Sequence, residues 1–502
     1  MNRLKRFMIN GMLTALVAIA MRFAGLMLNA FITRRLGAGG MGLLSLINSV
    51  FGFALTFSTG GVSLAATRLC TEALARGSAR ELKKALKSCI CYALLLGFSA
   101  AAFLTFFGDF VATRLLMAPD AVRSLEILAL SMPVFSLSAV LGGYFCAVRR
   151  AWKTAVTAVL EQAAKILTVM YLFSAVVPQN DGHACLLVIF ATVVSEFASG
   201  FLGWLLYRLD LRRIRDTGMG EPNVIKRMLS VALPVALSSY IRSALVTIEH
   251  MLIPRGLSKR GVNPAAALAT YGVVQGMAFP VIFFPTSLLY AFTGLVIPEM
   301  TWAKEKEGRG QIRRISKKVL HLTLLFAICC AGLLFVFADC LGMAMYQNHE
   351  AGYYIRVMAP LVPVMYLDSA VDALLKGMGE QVYTMKVNVA DALFSLGAVA
   401  LLVPKWGILG YIFVVYVSEM INLSFSLARL HKVTGVLPSM LRSITLPLLG
   451  ILFILPLGHS SLSGFLILRF LLGVGIYMLY LMLSGCLGKE EKELLVKTVK
   501  NQ

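Results

Sequence analysis

Charge is scarce in this chain, and negative charge scarcest of all. Of 502 residues only 14% are Asp, Glu, Lys or Arg, and 25 acidic side chains stand against 47 basic ones. No hydrophilic stretch longer than about 20 residues separates the apolar runs, so no soluble domain has room for a core of its own. The chain lacks a G-x-x-x-x-G-K-[ST] phosphate loop, which argues against its hydrolysing ATP itself. Its six histidines form no H-E-x-x-H pair. Its nine cysteines include Cys89-x-Cys91 and Cys329-Cys330 but no C-x-x-C spacing. Most lie in or beside apolar runs and read as small buried hydrophobes, with no cofactor, disulfide framework or metal site implied. A membrane-embedded glycosyltransferase or ligase would want a catalytic carboxylate or histidine cluster on a sizeable aqueous loop. The short loops argue against that, and the chain is read as a non-enzyme.

What the chain has in quantity is apolar surface. It is 58% hydrophobic, with a mean hydropathy of +0.79, the composition of an all-α polytopic membrane protein. Fourteen apolar windows of helix length stand out, near 11–33, 42–66, 86–107, 122–148, 154–177, 184–206, 228–252, 266–298, 319–338, 353–375, 386–403, 407–428, 441–458 and 464–486. The eighth contains Pro280 and Pro285, so a kink or break is expected there. Met1–Asn10 carries Arg3, Lys5 and Arg6, and Ala18-Ile19-Ala20 resembles a signal-cleavage site. Hydrophobicity resumes past Arg22 and runs to Ile32, so the segment is read as an uncleaved first helix.

The net charge of +22 does not imply nucleic acid, because the basic residues are dispersed among short loops. With the amino terminus inside, the cytoplasmic segments hold 34 Lys or Arg and the opposite segments 8. That asymmetry places both termini in the cytoplasm. Five further basic residues (Arg22, Lys165, Arg242, Arg356 and Arg469) fall within spans.

Arg22 is the sharpest of these. It lies roughly 16 Å into a helix begun at Gly11, about half the hydrocarbon thickness. A charge there costs about 2.5–3.5 kcal/mol on insertion scales, so it faces either a partner or a watery cavity. Asn29 follows two turns later along the same side of the helix. The two readings are an ion pair with another helix and a cationic wall for an anionic cargo.

The chain also repeats itself. Arg22 and Arg35 recur as Arg242 and Arg255, offset by 220. Pro133 and Glu161 recur as Pro363 and Asp391 at 230, and Val194-Ser195-Glu196 recurs as Val417-Ser418-Glu419 at 223. Helices one and seven both run outward, so the repeat is parallel, about an axis along the membrane normal. The expected division is a six-helix bundle over 1–215, a second over 216–435, and two additional helices with a basic tail over 436–502.

Several stretches carry a family resemblance. Arg35-Leu36-Gly37-Ala38-Gly39-Gly40-Met41-Gly42-Leu43 resembles the R-L-G-x-x-G-x-G-L segment between the first two helices of oligosaccharide and polysaccharide exporters. Tyr271-Gly272 through Pro285 to Leu295-Val296-Ile297-Pro298 looks like their eighth helix. Gly377-Met378-Gly379, Gly407-Ile408-Leu409-Gly410 and Glu161-Gln162 match further landmarks. Lys165, where an arginine is common, and Met385, where a proline is frequent, depart from the pattern. The resemblance is to the multidrug/oligosaccharidyl-lipid/polysaccharide (MOP) exporter superfamily, closest to its stage V sporulation protein B-like members and related to lipid II flippases.

The resemblance implies flipping or export of a lipid-linked oligosaccharide or peptidoglycan precursor by alternating access. The alternative within the superfamily is a cation-coupled multidrug antiporter, which would favour an acidic pocket over a mid-span arginine. A lipid diphosphate needs cations in a low-dielectric setting, where arginine binds phosphate bidentately. Arg22, Asn29 and Arg242 are therefore the first substrate-binding candidates. Arg35 and Arg255 come second, since snorkelling to the interface also explains them. Glu161, Lys165, Glu196, Glu249, Asp368, Asp372, Asp391 and Glu419 are candidates for ion coupling or for structural pairing. Glu161 with Lys165 is an i,i+4 pair, and Asp368, Asp372 and Lys376 form an i,i+4 ladder. The implied partners are the lipid-linked anionic glycan and membrane lipids, with a cell-envelope polymerase as a candidate, no nucleic acid, and a monomer as the expected state.

Overall fold

The computed structural model describes residues 3–211, 224–458 and 466–486. Among them every regular element is a helix, the form in which an apolar segment satisfies its own backbone without water. In chain order the α-helices are α1 (Arg3–Thr59), α2 (Val62–Ala75), α3 (Ala79–Phe110), α4 (Val122–Ala147), α5 (Ala151–Ala175), α6 (Asp181–Leu211), α7 (Val224–Lys259) and α8 (Pro264–Gly272). There follow α9 (Phe279–Phe283), α10 (Thr286–Trp302), α11 (Arg309–Val336), α12 (Ala338–Leu341), α13 (His349–Met358), α14 (Val362–Gly377), α15 (Gln381–Trp406), α16 (Ile408–Thr434), α17 (Leu446–Ile451), α18 (Leu455–Gly458) and α19 (Leu466–Leu483). Twelve runs among the described residues are long and apolar enough to cross a membrane, and Ile467–Leu483 is a shorter apolar helix. The longest run, Ile19–Ala75, takes in the first apolar window from Ile19 onward and the whole of the second.

The loop expected between those windows, near 34–41, is instead helical except at Gly37, whose φ of 69° and ψ of −171° break α1 at one residue. Glycine reaches that conformation without a Cβ clash, so a change of direction needs no loop. The second window then breaks at Gly60-Gly61, with Gly61 left-handed at the start of α2. In the eighth window the expected interruption is present. A π-helical segment covers Val273–Ala278, and the helix restarts after Phe284 and Pro285.

Helix starts follow local chemistry. The Ser78 hydroxyl accepts a hydrogen bond from the Glu81 amide at the head of α3, and the Asn348 side chain accepts one from the Ala351 amide at the head of α13, each satisfying an amide the helix leaves open. Within the helices many hydroxyls bond back one turn, as Thr33 does to the Asn29 carbonyl at 2.8 Å and Thr192 to that of Val188 at 3.0 Å. Such side chains need no partner helix.

The helices form two compact units. The first runs through Gly272 and takes in Leu396–Ile408; the second holds Val273–Ser395 and continues from Leu409. In the first, Leu69, Leu82, Leu86, Tyr144, Phe145 and Met228 lie in one buried cluster. Helix α7 lies along α1 and α2: Tyr240 donates to the Phe57 carbonyl at 3.0 Å and Thr247 to that of Ser49 at 3.1 Å, while Arg227 is ion-paired with Glu72. In the second unit Leu320, Leu324, Val371 and Leu374 pack together, and Phe337, Ile454 and Tyr477 belong to a further cluster. Arg469 is buried there, donating from Nε to the Leu457 carbonyl at 3.2 Å and from Nη2 to that of Gly458 at 3.1 Å. It therefore caps a helix end.

Threonine hydroxyls tie helices together in both units: in the first, Thr67 donates to the Gly143 carbonyl at 3.1 Å; in the second, Thr301 donates to the Gly377 carbonyl at 3.1 Å. At one position of the internal repeat the charge is reversed. Arg150 and Lys153 bind Asp210, the lysine at 2.7 Å, whereas Glu380, the echo of Arg150, accepts from Arg429 at 2.8 Å.

The tightest backbone approach in the first unit joins α1 to α8. A Cβ built on Gly42 would lie 2.1 Å from the Leu268 carbonyl oxygen, and one on Gly272 would lie 2.2 Å from that of Ala38. Glycine at both places lets the two helices cross at backbone distance, as small residues do in membrane bundles. Gly272→Ala is expected to lose about 1–3 kcal/mol through overpacking, read as a lower melting temperature in detergent. Gly310→Ala, where nothing lies within 4 Å, should melt like wild type; equal melting of the two variants would contradict this reading.

Candidate functional site

The polar residues that fall within the spans are distributed differently in the two units. In the first, α1 brings Arg22, Gly25 and Asn29 around one side, the arginine about 60° and the asparagine about 40° from the glycine. A methyl group on Gly25 would lie 3.7 Å from Gln162 Nε2, so this side of α1 is turned toward α5. Phe31 and Phe173 meet edge-on farther along the two helices, at 6.2 Å. On α5, Glu161 and Lys165 interact electrostatically across one turn. Glu196 on α6 is only 3% exposed and accepts a hydrogen bond from the Ser138 hydroxyl of α4 at 2.7 Å, within electrostatic reach of Glu161. The first unit thus gathers Glu161, Lys165 and Glu196 between α5 and α6, with the Arg22–Asn29 side of α1 facing α5.

Arg22 and Arg242 share two properties. Both are exposed, and among the described residues neither takes part in a hydrogen bond or an ion pair. Arg242 sits on α7 between Tyr240 and Thr247, whose hydroxyls are the ones held by α1. The pairing of Arg242 with Glu249 that their spacing allows is not formed. Glu249 is half-buried and lies in electrostatic reach of the buried Tyr271, whose hydroxyl meets His250 Nδ1 at 3.0 Å.

The second-choice arginines have local company. The Arg35 guanidinium lies 5.6 Å over the Phe31 ring. Arg255 donates to the Arg114 carbonyl, at the end of a π-helical turn over Val111–Leu115.

The second unit collects carboxylates. Lys376 approaches Asp372 at 3.4 Å, one rung of the ladder on α14. Asp391 on α15 accepts a hydrogen bond from Ser418 on α16. Asn422, one turn beyond Ser418, reaches Asp368 Oδ2 at 3.5 Å, while Asp368 Oδ1 is buried and has no partner among the described residues. Glu419 is half-buried on the same helix. The chemistry available is that of a set of carboxylates linked by neutral donors, as opposed to the mixed basic and acidic set of the first unit.

Ser138, Ser418 and Asn422 were not among the residues singled out from sequence, though two carried a signal. Ser138 stands 230 residues before Asp368, and Ser418 belongs to the repeated Val-Ser-Glu triplet.

Three comparisons bear on this arrangement. A family model described as polysaccharide biosynthesis protein matches residues 7–301, and one described as MatE matches residues 239–399. Stage V sporulation protein B of Bacillus subtilis (strain 168) is 25% identical over 415 residues, 81% of this chain and 80% of that protein. Sporulation protein YkvU of the same organism is 25% identical over 251 residues, 49% of this chain and 56% of its own. Among solved structures, the lipid II flippase MurJ in an inward closed conformation superposes with a TM-score of 0.73 at 13% identity, covering 93% of this chain and 98% of its own. An inward-facing multidrug resistance MATE family transporter of the MOP superfamily gives 0.65 at 13% identity, covering 84% and 98%. The fold is theirs.

The geometry separates two classes of intramembrane charge, with different expected costs of removal. Arg22→Ala deletes an exposed side chain with no ion pair among the described residues and should change stability by no more than about 0.5 kcal/mol. Asp210→Ala strands the buried Lys153 ammonium and should cost about 3–5 kcal/mol. Thermal unfolding of both variants in one detergent checks this; an Arg22→Ala protein that melts as early as Asp210→Ala would contradict it.

Proposed function

The chain belongs to the polysaccharide biosynthesis protein family, and on that premise we propose that it flips a lipid-linked anionic oligosaccharide or peptidoglycan precursor across the bacterial cytoplasmic membrane. It does so without covalent chemistry, by alternating access. The observation that carries this reading is Arg22, an exposed guanidinium about halfway along the first span with no ion pair among the described residues. A cation left in that position is worth its insertion cost only if something anionic visits it. Arg242 supplies a second cation of the same kind on the same unit. Together they suit a diphosphate, whose paired charges match two planar forks better than a single counter-ion does.

The proposed assembly is two six-helix bundles over 1–215 and 216–435, joined by an additional pair of helices and a basic tail over 436–502. Both termini face the cytoplasm, because 34 of the 47 Lys and Arg fall on segments of that side. Arg35 and Arg255 then lie toward the outer mouth, where the departing headgroup passes. On this reading the carboxylates of the second unit serve either to bind a coupling cation or proton or to pair structurally. A monomer suffices for this scheme, and a cell-envelope polymerase that consumes the flipped lipid is the natural partner.

Two measurements test the reading. Arg22→Ala should abolish flipping by purified protein normalised for amount, while Arg22→Lys, which keeps the charge but loses the fork, should retain a fraction of it. A well-folded Arg22→Ala protein that flips at the wild-type rate removes Arg22 from the cargo site. For orientation, a reporter fused after Gln502 that works only in the cytoplasm is expected to be active, and activity of an export-dependent reporter at that position would invert the topology.

A further inference from the structure

Helix α3 differs from the other basic helix starts in what its exposed face becomes. Its first turns expose Arg80, Lys83, Lys84 and Lys87, which lie on one side of a helix at i, i+3, i+4 and i+7. The opposite side (Leu82, Ala85, Leu86, Cys89 and Ala93) is buried. Glu81, the acid nearest in sequence, is turned inward at 4% exposure and held by Arg76 at 3.0 Å, with Arg227 at 3.6 Å. It therefore does not neutralise the exposed row. Among the described residues Lys83, Lys84 and Lys87 take part in no ion pair.

Beyond Lys87 the same side of α3 stays exposed and turns apolar, through Cys91, Leu95, Phe98 and Ala102 to Phe106. Leu95, Phe98 and Phe106 are 64%, 61% and 81% exposed. From Lys87 to Phe106 the helix rises about 28 Å, close to the hydrocarbon thickness of a bilayer. One continuous helix face is thus cationic for two turns and greasy for one membrane thickness. Helix α11 also begins with exposed Arg313 and Lys317, yet 61% of its apolar window is buried against 22% for α3. A row of cations above an inward-facing helix is explained by topology alone; a row that continues into a bilayer-facing stripe has a ligand of matching shape.

We propose that this face of α3 is a docking site for an anionic phospholipid, with the headgroup phosphate on Lys83, Lys84 and Lys87 and an acyl chain along Cys91, Leu95 and Phe98. The site is independent of the transported cargo. Three lysines supply the charge complementarity, each strengthening attachment about fivefold near an anionic surface. Exposed lysines in headgroup contact are screened by salt, so the attachment weakens as ionic strength rises.

The test uses purified full-length protein in a neutral detergent and counts bound lipid by native mass spectrometry, with dioleoylphosphatidylglycerol and dioleoylphosphatidylcholine as probes. Wild type should retain phosphatidylglycerol in preference to phosphatidylcholine. The Lys83→Gln/Lys84→Gln/Lys87→Gln variant should lose that preference, with phosphatidylglycerol binding weakened on the order of 100-fold. A control that removes the same charge elsewhere, Arg309→Gln/Lys317→Gln/Lys386→Gln, should bind as wild type does. Melting temperature without added lipid identifies any variant that has not folded, in which case Lys84→Gln alone carries the comparison at about fivefold. The proposal is overturned if the α3 variant keeps the preference, if the control loses it equally, or if soluble glycerol phosphate competes as well as the lipid does. Because binding is read without transport, the outcome stands whether or not the flippase reading survives.

Discussion

Placing charge in hydrocarbon is expensive, and that one cost organises most of what is distinctive in this chain. Every ionisable side chain in a span must be neutralised, capped, or kept in contact with something polar. Arg469 is spent on the Leu457 and Gly458 carbonyls, and Arg255 on that of Arg114. Lys153 and Asp210 neutralise each other where both are buried. Glu196 and Asp391 are each supplied with a serine hydroxyl. Among the described residues Arg22 and Arg242 take none of these solutions, and the proposed cargo contact rests on that.

The repeated halves show how a duplicated scaffold keeps its contacts while its chemistry diverges. Thr67 to Gly143 and Thr301 to Gly377 are hydrogen bonds of one kind, one in each unit, and the position of Arg150 is occupied by Glu380. There the sign of the charge changes while an ion pair persists. Within the spans the divergence runs further. The position of Ser138 is occupied by Asp368, and that of Lys165 by Ser395. The first unit holds Arg22, Lys165 and Arg242 beside Glu161, Glu196 and Glu249, and the second holds Asp368, Asp372 and Asp391.

Much of this was legible in the sequence, for reasons that also explain what was not. Apolar windows of bilayer length declare membrane helices, since few other structures tolerate them. The in-span charges declare themselves by their cost. The continuity of α1 through 34–41 was not legible, because Arg34-Arg35 and a glycine-rich stretch read as a loop, while the backbone needed only Gly37 to depart from the helix. The π-helical segments over Val273–Ala278 and Met440–Thr445 have no hydrophobic period that separates them from α-helix. Ser138 and Asn422 were hidden for another reason. Most hydroxyls in spans bond back to their own helix, so a serine that serves a neighbouring carboxylate looks like any other until the helices are packed.

The central claim is that this fold moves a lipid-linked diphosphate sugar across a bilayer, and reconstitution tests it most directly. Purified protein in vesicles containing a lipid-linked diphosphate oligosaccharide on both leaflets would be challenged with a membrane-impermeant enzyme that modifies only the outer pool. The account predicts that modification proceeds past the outer half toward completion with the wild-type protein and stops at half in protein-free vesicles. Modification that stops at half with well-folded protein, in vesicles that extrude a cationic drug instead, would contradict it.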